Sequence, residues 1–219
     1  MDFRCEDDME QQLALFPLQL VVFPGESLNL HIFEPRYRQL VTDAEEQGIR
    51  FGVPTVIEGR LQPVGTEVSL TEVAQRYPGG ESDVRTRGER VFYLQEYDRT
   101  APGKLYPGGR VRYLPVEEEE DPAVNDRIIA LTREIYRQLK VSREVRSVDE
   151  GFRTYEIAHY VGFTLTQEYE FLKLRAANKR QHYLLAHLRQ MKPHLGDPLR
   201  IRERAQLNGH FKDLKPPDF

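Results

Sequence analysis

At 219 residues, with 30% charged and 39% hydrophobic side chains, the chain has room for one sizeable domain or two small ones and should bury roughly 70% of its unfolded surface. No apolar run approaches the ~20 residues needed to cross a bilayer, and the acidic start MDFRCEDDMEQQ is neither a signal nor a transit peptide. The net charge of −4 hides an asymmetry: residues 1–116 carry 13 Lys/Arg against 18 Asp/Glu, residues 117–121 are all acid, and residues 123–194 carry 13 Lys/Arg against 8 Asp/Glu. An acidic first half is a poor general nucleic-acid surface, because phosphate neutralisation supplies most non-specific affinity.

Residues 1–12 read as a disordered leader. The single cysteine, Cys5, lies in it and cannot form an internal disulfide, which with the composition indicates a reducing compartment, most simply the cytoplasm. Glu6, Asp7 and Asp8 follow it and oppose thiolate formation, so Cys5 reads as inert. From Leu13 to Phe23 the apolar residues are too dense for a solvated edge, and the spacing predicts a strand buried on both faces. Pro24-Gly25 marks a turn. Leu28, Leu30 and Ile32 then alternate with Asn29 and His31, the pattern of a strand with one wet face. Pro35 suits the first turn of a helix whose apolar stripe is Tyr37, Leu40, Val41 and Ala44.

RFGVPTVIEG predicts a third strand ended by Gly59. In the next, Val64, Val68, Leu70 and Val73 are the apolar set and Glu67, Ser69 and Thr71 the polar one. Tyr77 to Gly80 is a loop, Val84 to Tyr97 a further strand region with Gly88 a bend or bulge, Tyr106 to Gly109 a turn, and Val111 to Val116 a closing strand. Short strands with Pro/Gly punctuation and one early helix make this half an α+β barrel.

The acidic run Glu117 to Pro122 reads as a solvated linker or as the acidic lead-in to a helix; both place a boundary there. Beyond it the period becomes 3.6. Val124, Ile128, Leu131, Ile135 and Leu139 stripe a helix ending near Lys140. Phe152 to Val161 suggests a second helix closed by Gly162, a third is expected behind a Thr166 cap, and Leu184, Leu185, Leu188 and Met191 mark a fourth stopped by Pro193. Residues 123–194 should therefore form a small helical bundle. The tail, residues 195–219, has no clear period and reads as flexible or as docked into a groove of its own chain.

FPLQLVVFPG followed by LHIFEPRYRQLV resembles the opening of the substrate-binding amino-terminal domain of the Lon protease (peptidase S16) family. The resemblance continues through RFGV (Arg50–Val53), VGTEVSLTEV (Val64–Val73) and VRTRGERVFYL (Val84–Leu94). It covers residues 13–116 and implies a PUA-like β-barrel. A similar helical extension follows the barrel in full-length Lon proteins and in free-standing bacterial-type proteins of the family.

The chemistry of a complete Lon protease is not legible here. A phosphate-cradling loop of the form GxxxxGK[ST] is required for nucleotide. The single Gly-Lys pair, Gly103-Lys104, has Asp98 where the first glycine belongs and Leu105 where the hydroxyl belongs. Ser27, Ser69, Ser82, Ser142 and Ser147 occupy no nucleophile-elbow frame and no catalytic context with a lysine. His182 and His187 are five apart and diverge on a helix, and His187 and His194 are seven apart, so neither pair has zinc spacing. No catalytic residue, metal or cofactor is expected.

What remains is binding. Phe33, Arg36 and Tyr37 are candidates for the rim of a peptide groove beside the barrel; the structural alternative pairs Glu34 with Arg38 and sends Phe33 and Tyr37 into the core. The resemblance implies a non-catalytic module for unfolded or extended polypeptide, an ATP-independent adaptor in protein quality control that works beside a separate ATPase or protease, without a membrane. The alternative is an RNA-binding PUA-like protein, with Arg175, Lys179 and Tyr183 at i, i+4 and i+8 as its stripe, although fold analogy alone transfers function poorly.

Overall fold

The computed structural model describes residues 10–191, and these divide into two compact units meeting between Pro115 and Val116. The first contains β1 (Gln11–Leu15), β2 (Ser27–Ile32), α1 (Pro35–Gln47), β3 (Phe51–Ile57), β4 (Arg60–Arg76), β5 (Ser82–Asp98) and β6 (Gly108–Tyr113). The second contains α2 (Pro122–Leu139), a 3₁₀ segment (Thr154–Tyr160), α3 (Leu165–Leu172) and α4 (Ala177–Met191). The class is α+β, as expected. The expected tail, residues 195–219, and residues 1–9 of the expected leader lie outside the described residues. Gln11 and Gln12 belong to β1, because pairing with Val111 and Arg110 uses their backbone and needs no apolar side chain.

The strands of the first unit are ordered β2-β5-β4-β3-β1-β6, and β5 also pairs with β6, so β1, β3, β4, β5 and β6 form a closed ring. β5 does this by changing partners along its 17 residues: Ser82 to Arg87 pair with β2, and Phe92 to Asp98 pair with β6. Between the two halves its register against β4 slips, from Thr66↔Val91 to Val68↔Gly88. That is the bulge expected at Gly88. A Cβ there would stand 2.2 Å from the Phe23 carbonyl oxygen, and the Gly88 N–H donates to the Glu26 carbonyl while its own carbonyl accepts from Gly25 N.

Two cores result. Leu13, Leu15, Phe92, Leu94, Val111 and Tyr113 fill the ring. Phe16, Leu18, Leu20, Val22, the inner face of β2 and the buried face of α1 pack on its outside with Phe51, Val53 and Val68. β2 and α1 follow the sequence pattern: Leu28, Leu30, Ile32, Tyr37, Leu40, Val41 and Ala44 are all buried. Pro35 opens the helix, and Gly48 closes it in the left-handed conformation at φ 67°.

Three local expectations change. The run Leu13–Phe23 is not one strand: β1 stops at Leu15, since Pro17 has no N–H for a ladder, and the chain continues as a buried segment bridged at Leu18 to Thr55. Gly108 and Gly109 are not a turn but the start of β6, where a Gly109 Cβ would lie 2.4 Å from the Glu96 carbonyl oxygen. Glu34 pairs with Arg36 at 2.8 Å rather than with Arg38, which reaches the Gly79 carbonyl and Glu81.

In the second unit, Asp121 caps α2 by accepting from Ala123 N at 2.8 Å, and Pro122 occupies its first turn. The helix expected over Phe152–Val161 is instead the 3₁₀ segment Thr154–Tyr160, confined between Gly151 and Gly162, both at positive φ. The cap of α3 is Thr164, not Thr166, because Gln167 stands three residues on and returns its side chain to the Thr164 N–H. The acidic run is only partly solvated. Glu117 to Glu119 are exposed, yet the Glu120 side chain is 2% exposed, accepts from the Thr154 N–H and hydroxyl, and faces the equally buried Arg180 at 3.7 Å. Arg180 also donates to the carbonyls of Leu174, Arg175 and Glu117, so it ties this segment to α4.

Both features have measurable consequences. Gly88→Ala forces a methyl into the Phe23 backbone and should cost about 2 kcal/mol in urea unfolding; an unchanged midpoint would show that the bulge yields freely. Arg180→Met leaves Glu120 a buried charge without its cation, and should cost about 3 kcal/mol, read as earlier loss of helical circular dichroism.

Candidate functional site

A groove of about 810 Å³ lies in the first unit. β1 supplies Gln11 to Ala14, the turn after α1 supplies Gln47 to Arg50, β4 and β5 supply Glu67 and Arg90, and the β5–β6 connection supplies Ala101, Pro102, Lys104 and Tyr106. Its walls are therefore mixed: amide side chains, small apolar faces, and two anchored groups of charge.

The first group is built on Glu67. It follows Thr66, whose hydroxyl donates to the Val22 carbonyl on the outer face of the ring. Glu67 instead pairs in register with Gly52, where a Cβ would strike Leu13, Leu15 and Phe92, so its side chain shares the ring's interior. The carboxylate is 2% exposed. It accepts from Tyr113 Oη at 2.5 Å, from Arg90 Nε at 3.0 Å and Nη2 at 3.3 Å, and from Arg50 Nη1 at 3.4 Å. The Arg90 guanidinium also lies 3.6 Å from the centroid of the Tyr113 ring. Arg50 and Arg90 remain 49% and 43% exposed. Burial, then the hydrogen bond to Glu67, raise the pKa of the Tyr113 phenol, so it stays a donor at neutral pH.

The second group is built on Asp43 of α1. Its carboxylate accepts from Lys104 Nζ at 2.7 Å, Tyr106 Oη at 2.6 Å and Gln47 Nε2 at 3.2 Å. Its pKa is lowered, chiefly by the Lys104 hydrogen bond and then by that of Tyr106; burial opposes both. Burial raises the Tyr106 pKa in turn, with help from Asp43.

The sequence-predicted rim residues are not in this groove. Tyr37 is 2% exposed and stacks on Phe16 with centroids 4.0 Å apart, which removes its ring from the surface. Arg36, half-buried, lies 4.7 Å over that ring and bonds Glu34. Phe33, also half-buried, sits beside His31, whose Nδ1 meets Asp83 at 2.7 Å. Arg50, Glu67 and Arg90, by contrast, were singled out by no spacing. The signal was their position: each lies inside one of the three later motifs, RFGV, VGTEVSLTEV and VRTRGERVFYL.

On the second unit, Arg175 and Lys179 are exposed, but Tyr183 is half-buried and packs near Phe163 and Phe171 at 5.7 and 5.9 Å, so its ring is engaged by the bundle. His187 Nε2 meets the Val161 carbonyl, His182 Nδ1 that of Asn178, and His159 Nδ1 meets Glu168 at 2.9 Å. Ser69 and Ser147 donate to Glu89 and Glu150. Among the described residues no cluster of His, Cys, Asp and Glu could hold a metal ion, and no helix is long and apolar enough to cross a membrane.

A closed ring with a charged groove beside it, and a separate helical unit, defines a binding module of the Lon amino-terminal type. The chain belongs to the family of the ATP-dependent protease La (LON) substrate-binding domain, whose family model matches residues 12–192. Among solved structures it is similar to a Lon N-terminal domain protein from Xanthomonas campestris, at 27% identity and TM-score 0.62 over 80% of this chain and 98% of that one. It also resembles the N-terminal domain of the Mycobacterium avium complex Lon protease, at 16% identity and TM-score 0.64 over 82% and 98%, a likeness of fold. No match is found among curated proteins.

The Asp43 group makes a pH prediction. A carboxyl with a depressed folded pKa stabilises fully above its unfolded value of 3.8 and loses that contribution as pH falls through the folded value. Asp43→Asn should therefore be less stable than the parent at pH 7, and the difference should shrink in acid unfolding below about pH 4. A pH-independent difference would mean that packing, not charge, is what Asp43 supplies.

Proposed function

We propose that the chain is a polypeptide-binding module that holds unfolded or extended segments and performs no bond cleavage itself. The observation that carries this reading is the groove: its volume suits a short peptide segment, and its walls offer Gln11, Gln12 and Gln47 amides, the apolar faces of Leu13, Ala14, Ile49 and Ala101, and anchored cations. Amides and small apolar faces fit a backbone and side chains of varied sequence, rather than one small molecule. Membership of a substrate-binding-domain family supports the same reading. In it, the module is an adaptor of protein quality control, passing polypeptide to a separate ATPase or protease in the cytoplasm. Phe33 and Arg36, which reach solvent away from the groove, are proposed as secondary contacts; Tyr37 acts through the core beneath them.

The test is fluorescence anisotropy with a labelled, reduced and carboxymethylated protein. Saturable binding with a Kd of about 100 μM or tighter is expected without ATP, weakened at least fivefold by Ile49→Glu, which sets a carboxylate on the apolar part of the wall. Absence of binding at that concentration, or an unaffected variant, would overturn the assignment of the groove.

A further inference from the structure

We propose that the free edge of β2 takes an extended polypeptide by strand addition, with the His31 and Phe33 rings receiving one of its side chains. The inference rests on the polypeptide-binding reading and adds to it a second contact, outside the groove, with a defined backbone chemistry.

The first ground is topological. Closure of the ring gives β1, β3, β4, β5 and β6 at least two strand partners each, whereas β2 has β5 alone among the described residues. The two pair from Ser27↔Arg87 to Ile32↔Ser82 without a slip in register. The Gly88 N–H donates to the Glu26 carbonyl, which sets the even-numbered residues of this segment toward β5. Alternation along the strand then turns the N–H and C=O of Ser27, Asn29 and His31 to the other side. Ser27 and Asn29 are exposed and His31 partly so, so these donors and acceptors stand on an open edge.

The second ground is the sequence of that edge. Exposed edges are ordinarily blunted by Lys, by Pro, by an inward-pointing charge or by a bulge. SLNLHI has no Lys, Arg, Asp, Glu or Pro, and its ladder with β5 has no bulge. Leu28, Leu30 and Ile32 are buried beneath it and hold the strand in place. An edge fixed by its core and left unguarded is a template for a further strand.

The third ground is what lies at the end of the strand. His31 and Phe33 share the wet face, with ring centroids 6.2 Å apart, and the Tyr77 ring meets His31 edge-on at 5.8 Å. Asp83 accepts from the Tyr77 hydroxyl at 2.8 Å and meets His31 Nδ1 at 2.7 Å, which fixes both rings. A guest strand beside β2 points every second side chain to this face, and the one nearest His31 and Phe33 meets aromatic surface. An aromatic or β-branched residue suits that position. The edge itself is short, about 20 Å for its six residues. Two copies paired along it would bury less than the roughly 1,200 Å² at which stable interfaces begin. The occupant is therefore a guest polypeptide rather than a second copy.

The experiment uses the full chain and a fluorescein-labelled decapeptide of alternating phenylalanine and threonine with a lysine at each end, prepared plain and with both central residues N-methylated. Methylating adjacent residues removes a donor from each edge of the guest and leaves its side chains unchanged. The plain peptide is expected to bind roughly tenfold more tightly, since the methylated one loses a main-chain bond whichever edge it presents. On adding the plain peptide, the Asn29 and His31 amides should exchange with solvent about tenfold more slowly by NMR, while those of Leu28, Leu30 and Ile32, already bonded to β5, change little. The comparison requires no variant. Equal binding of the two peptides, or binding without protection of Asn29 and His31, would overturn strand addition at β2 while leaving polypeptide binding intact. Protection that rises with the concentration of the chain alone would assign the edge to a second copy and overturn its assignment to a guest. If neither peptide binds, the polypeptide-binding reading fails and this inference falls with it.

Discussion

The architecture of the first unit depends on β5 serving two neighbourhoods. Its first half pairs with β2 and its second with β6, and β4 follows it through both. A strand that stayed flat could not do this, since closing a ring requires its strands to bend and slide in register. Gly88 supplies the bend where a side chain would enter the Phe23 carbonyl. The stretch from Phe16 to Phe23 can then lie against the outside of the ring, and that placement creates the second core under α1. Ring, outer core and groove are thus consequences of a single change of partner.

The same closure explains how a carboxylate comes to be buried beside a groove. Once segments on both sides cover β4, its residues from Val64 to Val68 lose any wet face: Thr66 turns outward to the Val22 carbonyl, and Glu67 turns inward to Tyr113. A buried charge is tolerated when every lone pair has a donor and a counter-charge is close. Tyr113, Arg90 and Arg50 meet that requirement, and Arg90 gains a ring face as well.

Legibility in the sequence follows from how many faces of an element meet water. β2 has one wet face, so Leu28, Leu30 and Ile32 alternate visibly, and α1 shows its stripe for the same reason. β4 has no wet face between Val64 and Val68, and there the alternation placed Glu67 on the solvent side when it is among the least exposed residues of the unit. Aromatic residues beside a turn suggested a rim at Phe33, Arg36 and Tyr37; the Phe16 ring that takes Tyr37 inward belongs to a segment whose path depends on Pro17 and on the far-off Gly88, which no local pattern encodes. The Asp43–Lys104 and Glu67–Arg90 contacts join residues 61 and 23 apart. Such pairs are set by ring closure, so the fold class could be read from the chain while the groove could not.

The two charged groups share an ordering that matters more than their sum. In each, the acid is the deeper partner and the base the shallower: Asp43 is 10% exposed to Lys104's 31%, and Glu67 is 2% exposed to about half for its arginines. Ion pairs on an open surface contribute little and leave both side chains free to move. Here the buried acids fix the bases in place, and a ligand approaching through water meets the cations first. A near-neutral wall can therefore present an oriented field. In both groups, then, the buried acid rather than the exposed base sets where charge faces the groove.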